Sequence, residues 1–383
     1  RDKLVTGVQT CALPILKRNP NLRNERTNSI EGGLEMSFFN ARVGFDLALY
    51  QTNSKDQIIP VTVSQTTGFQ SLMLNTGEIQ NKGIEFTVSA TPVRIGDFSW
   101  DMVLNWSRNK NEVIALYPGI TNLRLNSVNL QGGVTVNAEV GQPYGTIKGR
   151  DYTYDDNGNK IIDAETGTPV VTSSSAVSIG NFTPDWNGGI NNSFSYKNLA
   201  LSFLVDVQKG GDIFSLDMYY GLSSGLYPET AFINDLGNPV RDPIVWVDED
   251  DHSKGYASNS GGYIIEGVNI VDGVSVPNKT RVDATNADGF GIGLLPHSAF
   301  VYDASYVKLR EVVFTYNVPA RMLNKTFIKG VSVSAIASNL WIIHKNLPYA
   351  DPESGMTAGN IQGYTTGSLP TTRDFSFNLK LNF

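Results

Sequence analysis

Few side chains in this sequence are placed to do chemistry by themselves. A hydrolytic or metal centre would need histidines at i, i+4 spacing, or a base set against a Gly-x-Ser-x-Gly elbow. His252, His297 and His344 are far apart and no such elbow is present. Each falls in or beside a segment that reads as loop, where a solvated imidazole is the ordinary outcome. Asp248-Glu-Asp-Asp251, next to His252, offers paired carboxylates or a cation cradle, but consecutive acids in a loop are usually just solvated. Asp155-Asp-Asn-Gly-Asn-Lys160 has the look of a calcium loop, yet Lys160 and Thr166 stand where an EF-hand needs Gly and Glu. A two-residue hairpin turn, with Asn157 and Gly158 at positive φ, is expected there instead. The glycines of Lys209-Gly-Gly211 follow a strand but lead into no Lys-Ser/Thr pair, which removes a phosphate loop. Tyr219, Tyr220, Tyr227, Tyr256 and Tyr263 crowd one long segment and serve either to stack on a ligand or to pack that segment on itself. No catalytic, cofactor-binding or metal-binding residue is assigned, no cofactor is called for, and the chain is not expected to be an enzyme. Individual substrate contacts stay unassigned.

The elements that carry these residues are strands. The closing segment Thr371-Thr-Arg-Asp-Phe-Ser-Phe-Asn-Leu-Lys-Leu-Asn-Phe383 alternates polar and apolar residues up to an aromatic end. Side chains alternate across a strand, so Phe375, Phe377, Leu379, Leu381 and Phe383 share a face suited to lipid, and the polar residues between them share a face suited to water. The same period recurs at 34–38 and 43–49, 84–90 and 100–106, 188–196 and 199–207, 305–316, and 331–341. That makes nine strands, with a bulge expected where Val312 and Val313 blur the alternation. Connections near 40, 92–97, 197–198 and 317–327 are short, and those at 56–78, 112–185, 212–301 and 344–370 are long. An up-and-down transmembrane barrel must alternate the two, with short periplasmic turns and long extracellular loops. This parity puts the C-terminus on the periplasmic side. Tyr50, Trp100, Trp106, Trp186, Tyr196, Tyr306, Tyr316 and Trp341 lie near strand ends, as interfacial girdles would.

Composition excludes other classes. The chain has 383 residues, is 40% hydrophobic and 17% charged, and has no apolar run long enough for a membrane helix. Its net charge is −7 and its basic residues are scattered, which leaves no footprint for nucleic acid. The single cysteine, Cys11, lies in a first segment, 1–16, that lacks both strand and helix periodicity and reads as foreign, similar to a translated sequencing-adapter read-through. Residues 17–383 then form one all-β unit.

Five segments in order resemble the C-terminal part of SusC/RagA-type TonB-dependent outer-membrane transporters. They are Asn75-Thr-Gly-Glu-Ile-Gln-Asn-Lys-Gly-Ile-Glu85; Asn181-Phe-Thr-Pro-Asp-Trp-Asn-Gly-Gly189 with Phe194-Ser-Tyr-Lys-Asn198; Ser305-Tyr-Val-Lys-Leu-Arg-Glu-Val312; Ser338-Asn-Leu-Trp341 with Asp351-Pro-Glu353; and Pro370-Thr-Thr-Arg373. Ala337 and Asn187 depart from the family's commoner Gly and apolar residues. The resemblance implies uptake of a glycan or peptide, a SusD-like surface lipoprotein on loops 112–185 and 212–301, and energy delivered by the TonB complex. It also implies a signal, plug domain and earlier strands ahead of residue 17, so the chain is expected to be a partial barrel. A passive porin or adhesin barrel, distinguished by lack of a plug, and a soluble β-sandwich binding module are the alternatives.

Overall fold

The computed structural model describes residues 16–17, 19–62, 64–69, 71–125, 130–324, 326–355, 359 and 362–383. The expected foreign segment therefore lies, but for Leu16, outside the described residues. The architecture is one antiparallel sheet of nine strands in chain order, carrying a layer of smaller elements at one end. Its strands are β1 (Arg26–Phe38), β2 (Val43–Lys55), β3 (Glu78–Ile95), β4 (Phe98–Ala115), β5 (Pro184–Tyr196), β6 (Leu199–Gly210), β7 (Tyr306–Asn317), β8 (Gly330–Lys345) and β9 (Asp374–Asn382). Each pairs with its sequence neighbour, as a meander must. All nine strands read from the alternation are present. Several run further than expected, because beyond the membrane-facing stretch their outer face turns polar and the dyad signal fades.

Register makes the apolar face continuous. Met36, Phe45, Val88, Leu104, Ile190, Val205, Leu309 and Trp341 stand side by side across eight strands. Below them Phe203, Val312, Ala337 and Phe375 form another row. A one-residue slip would turn such a row to the opposite face, so the apolar stripe itself fixes the pairing. The sheet is not closed: no pairing joins β1 to β9 among the described residues, and every residue of both edge strands is exposed. Phe377 at 83% exposure offers an apolar face that only lipid or another strand would cover.

The bulge falls two residues earlier than expected. Leu309 faces Val205 and Glu311 faces Leu204, so Arg310 is the extra residue. Opposite it, Asn339 and Leu340 stand against Arg310 alone, and Asn339 is left-handed at φ 51°. The physical reason is continuity of the stripe. With the extra residue at Arg310, Leu309 and Val312 both stay on the apolar face while Arg310 is aimed to the polar one. The turn at Asp155 also differs from expectation. Gly158 alone is left-handed, at φ 82°, and Gly158 N donates to Asp155 O at 3.0 Å while Asp155 N donates to Asn159 O at 2.9 Å. That is a three-residue loop with a glycine bulge.

The long connections fold into a layer of their own. Residues 112–185 contribute a small four-stranded sheet, and residues 212–301 contribute helix α1 (Leu216–Ser223), whose N-cap Ser215 accepts from Met218 N at 3.2 Å. Their shared core is Val134, Ile147, Phe214, Met218, Phe300 and Tyr364, drawn from three separate connections.

Candidate functional site

At the junction of sheet and loop layer, β7 sends Tyr306, Lys308 and Arg310 to the polar face, while Val307 and Leu309 go to the apolar one. The charged pair meets three carboxylates. Lys308 Nζ donates to Asp351 Oδ1 at 2.6 Å and to Glu353 Oε2 at 2.5 Å. Arg310 Nη2 donates to Asp206 Oδ2 and to Glu353 Oε1, each at 2.6 Å, and Nη1 reaches Glu353 Oε2 at 2.8 Å. The Tyr306 hydroxyl stands 3.3 Å from both Asp206 and Glu353. Asn339 accepts from Arg310 and passes its amide to Thr372 O, and Thr371 Oγ1 donates to Asp351 Oδ2 at 2.5 Å. One hub thus ties β6, β7, β8, the approach to β9 and the last long connection.

The Lys308 and Asp351 side chains are only 3% and 2% exposed, so neither charge is tolerable without the other. Burial pushes Asp351 up, but the Lys308 ammonium and the Thr371 hydroxyl more than offset it and hold the carboxyl below its usual range. Glu353 follows the same balance, with Arg310 first among the groups lowering it. Both acids stay ionised at neutral pH and hold residues 351–353 against the wall. Leu347 is wholly buried beside Ile213 and Ala304, and Tyr349 stacks on Tyr227 at 4.2 Å while donating to Glu229 Oε1 at 2.7 Å. The last connection is therefore docked on both the wall and its neighbouring loop.

The side chains singled out in the sequence do not converge. His297 is half-buried rather than solvated. Its Nδ1 accepts from Arg150 N at 2.9 Å and its ring sits against Phe214 and Tyr219, so burial, then the Arg150 charge, lowers its pKa. His252 stacks on Trp246 at 3.9 Å, and His344 lies 3.1 Å from the Asn346 side-chain oxygen. In the acidic run, Asp248 pairs with Lys254 and Asp251 caps Ser253 N. Asp155 accepts from Asn157 N, Asn159 N and Ser275 Oγ, holding its own turn. Most of the loop tyrosines pack inward: Tyr219 on Phe214, Tyr256 on Trp246, Tyr263 on Phe290. Tyr50 and Tyr306, expected in a girdle, point to the polar face, where their hydroxyls reach Asn109 and the hub. That polar face also carries a depression of about 420 Å³ lined by Glu85, Thr87, Asn105, Asn187, Gly189 and Asp206. Amides, hydroxyls and carboxylates there suit hydrated cargo and no particular reaction. The hub had a readable signal. Polar Tyr306, Lys308 and Arg310 recur at every second position opposite apolar neighbours, and Asp206 interrupts the apolar Val205 and Val207.

An open antiparallel meander with one apolar and one polar face, long loops at one end and an ionic hub beneath them defines a wall of a transmembrane β-barrel. The chain belongs to the TonB-dependent receptor-like β-barrel family, whose model matches residues 9–263, and this family's barrels lie in the outer membrane. It is 28% identical to TonB-dependent receptor P26 of Formosa agariphila over 403 aligned positions, covering 99% of this chain and 37% of that protein. It is 26% identical to the TonB-dependent receptor SusC of Bacteroides thetaiotaomicron over 58% of this chain and 23% of that one. Its fold superposes on a RagAB peptide transporter with a TM-score of 0.64 at 19% identity, covering 94% of this chain and 35% of the other. The chain thus spans little more than a third of the length of such relatives.

Proposed function

We infer that this chain is the C-terminal part of the barrel of an outer-membrane importer, energised through TonB by parts outside the described residues. It carries a glycan or a peptide and performs no catalysis. The reading rests on one observation: a family barrel wall whose long connections, instead of hanging free, fold into a layer anchored to the wall by the Lys308/Arg310 hub. A layer held this firmly is a platform, and the long loops 112–185 and 212–301 are its natural contact with a SusD-like surface lipoprotein. Short turns and the C-terminus then face the periplasm. The test is uptake of labelled glycan and labelled peptide by cells with and without the complete gene, in backgrounds with and without functional TonB. Loss of uptake of one cargo class on removing either supports the reading. Uptake that continues without TonB makes the protein a passive barrel.

A further inference from the structure

The apolar stripe of the wall ends, towards the long loops, in an unneutralised cationic patch. On the outer face of β4, Trp106 is followed at every second position by Arg108 and Lys110, and on β3 Phe86 is preceded by Ile84 and Lys82. Phe86 pairs with Trp106, Ile84 with Arg108, and Lys82 with Lys110. Two lysines directly opposite on one face have Cβ atoms only about 5 Å apart, and like charges in that arrangement destabilise the pair. All three cations are exposed, and among the described residues none forms an ion pair. Such a cluster is out of character in a chain of net charge −7.

Space adjoins it. β4 pairs with β5 only as far as Ser107 and Asn187. Beyond that point the two strands part, and a cavity of about 420 Å³ opens, lined by Arg108 and Lys110 on one side and by Lys209, Asp185, Asp212 and Asp303 on the other, where Lys209 is paired with Asp303 and so only the β4 cations stay free of a carboxylate partner. Trp106 lies just below the opening and Trp186, paired with Lys209, stands beside it, near the level where amphipathic rings mark an interface.

We propose that Lys82, Arg108 and Lys110 form a binding site for the phosphorylated headgroup of an outer-leaflet lipid, whose acyl chains lie down the apolar stripe beneath. The position decides the ligand. A soluble anion has no need of cations on the lipid-facing side of the wall, directly above Phe86 and Trp106, whereas a headgroup phosphate sits at that height and its tails occupy the stripe. This inference rests on the reading that the long connections face outward.

The test uses the complete receptor, purified from membranes, delipidated, and titrated with lipid A or with its phosphatase-treated counterpart. Wild type should prefer the phosphorylated lipid. K82Q/R108Q/K110Q should lose that preference by about a hundredfold, at roughly fivefold per cation near an anionic headgroup, while K82R/K110R keeps it. Heat-modifiable migration on gels checks that each variant retains its barrel. Equal binding of both lipids by wild type overturns the proposal, and needs no variant. Displacement by inorganic phosphate as effective as by lipid A also overturns it, in favour of a small-anion site. A receptor correctly placed in the outer membrane that shows no phosphate preference sinks only this inference, whereas one absent from that membrane sinks the functional reading with it.

Discussion

Removing Lys308 should undock the last long connection while leaving the wall intact. In Lys308→Met the apolar stem is roughly kept and the charge is lost. Asp351, with 2% of its side chain exposed, then loses its ion-pair partner and keeps only the more distant charge of Lys345, and Glu353 keeps only Arg310. Breaking a buried ion pair by deleting one partner costs about 3–5 kcal/mol, because the surviving charge is left desolvated. At about 1.4 kcal/mol per decade, this lowers amide-exchange protection by roughly two to three and a half orders of magnitude. The loss should be confined to segment 345–355 and its contact with Tyr227, since β7 pairs with β6 and β8 through backbone bonds that the substitution leaves in place. Hydrogen exchange read by mass spectrometry on the membrane-inserted protein supplies the assay. K308M/D351N should recover much of the protection, because both charges of the pair are then gone. Unchanged protection at 345–355 in K308M, or an equal loss along the whole of β7, would refute the docking argument.

Arg310→Lys should behave as a disruptive change, since an ammonium cannot reproduce the fork that joins Asp206 and Glu353; reduced protection in the same segment, at about 1.5–3 kcal/mol per charge-assisted bond lost, checks it. Docking should weaken on acidification. Asp351 and Glu353 have lowered folded-state pKa values, so their stabilisation is complete above the ordinary carboxylate range and fades as pH falls through their folded values, which protease sensitivity of 345–355 against pH would show. His297 should weaken the loop layer earlier. Its folded pKa is also lowered, so stability declines as pH drops below about 6.5 towards that value, and His297→Gln should flatten this part of the profile. Phe214→Ala removes a fully buried ring stacked on Tyr364 at the centre of the loop core, and should cost about 3–5 kcal/mol by denaturant titration of the loop layer, with the heat-modifiable barrel retained.

The wall was legible because a strand with one face in lipid writes its geometry into the sequence with period two. Phe375, Phe377, Leu379 and Leu381 need no partner to be read. The bulge was misplaced because the apolar phase of β7 changes between Leu309 and Val312, and a sequence cannot say whether the extra residue is at 310 or beside Val313; only the register of β6, with Val205 on Leu309 and Leu204 on Glu311, decides. Girdle positions failed at Tyr50 and Tyr306 for a related reason, since nearness to a strand end does not say which face a ring takes. The loop layer was illegible because its core has no local period. Phe214 meets Tyr364 and Val134 across long stretches of chain, and an irregular loop buries whichever residues its neighbours leave room for. The hub lay between these cases. Ser305-to-Val312 and Asp351-Pro-Glu353 could be recognised as family segments, but their meeting depends on the fold of the last connection.

The most direct test of the account is sidedness. In the complete receptor, with any native cysteine replaced by serine, a single cysteine at Glu249 in the long loops or at Asp97 in a short turn is exposed to a membrane-impermeant maleimide on intact cells. The account predicts labelling at position 249 without permeabilisation, and at position 97 only after it. The reverse pattern, or equal labelling of both, would contradict an outer-membrane wall with its loop layer facing outward.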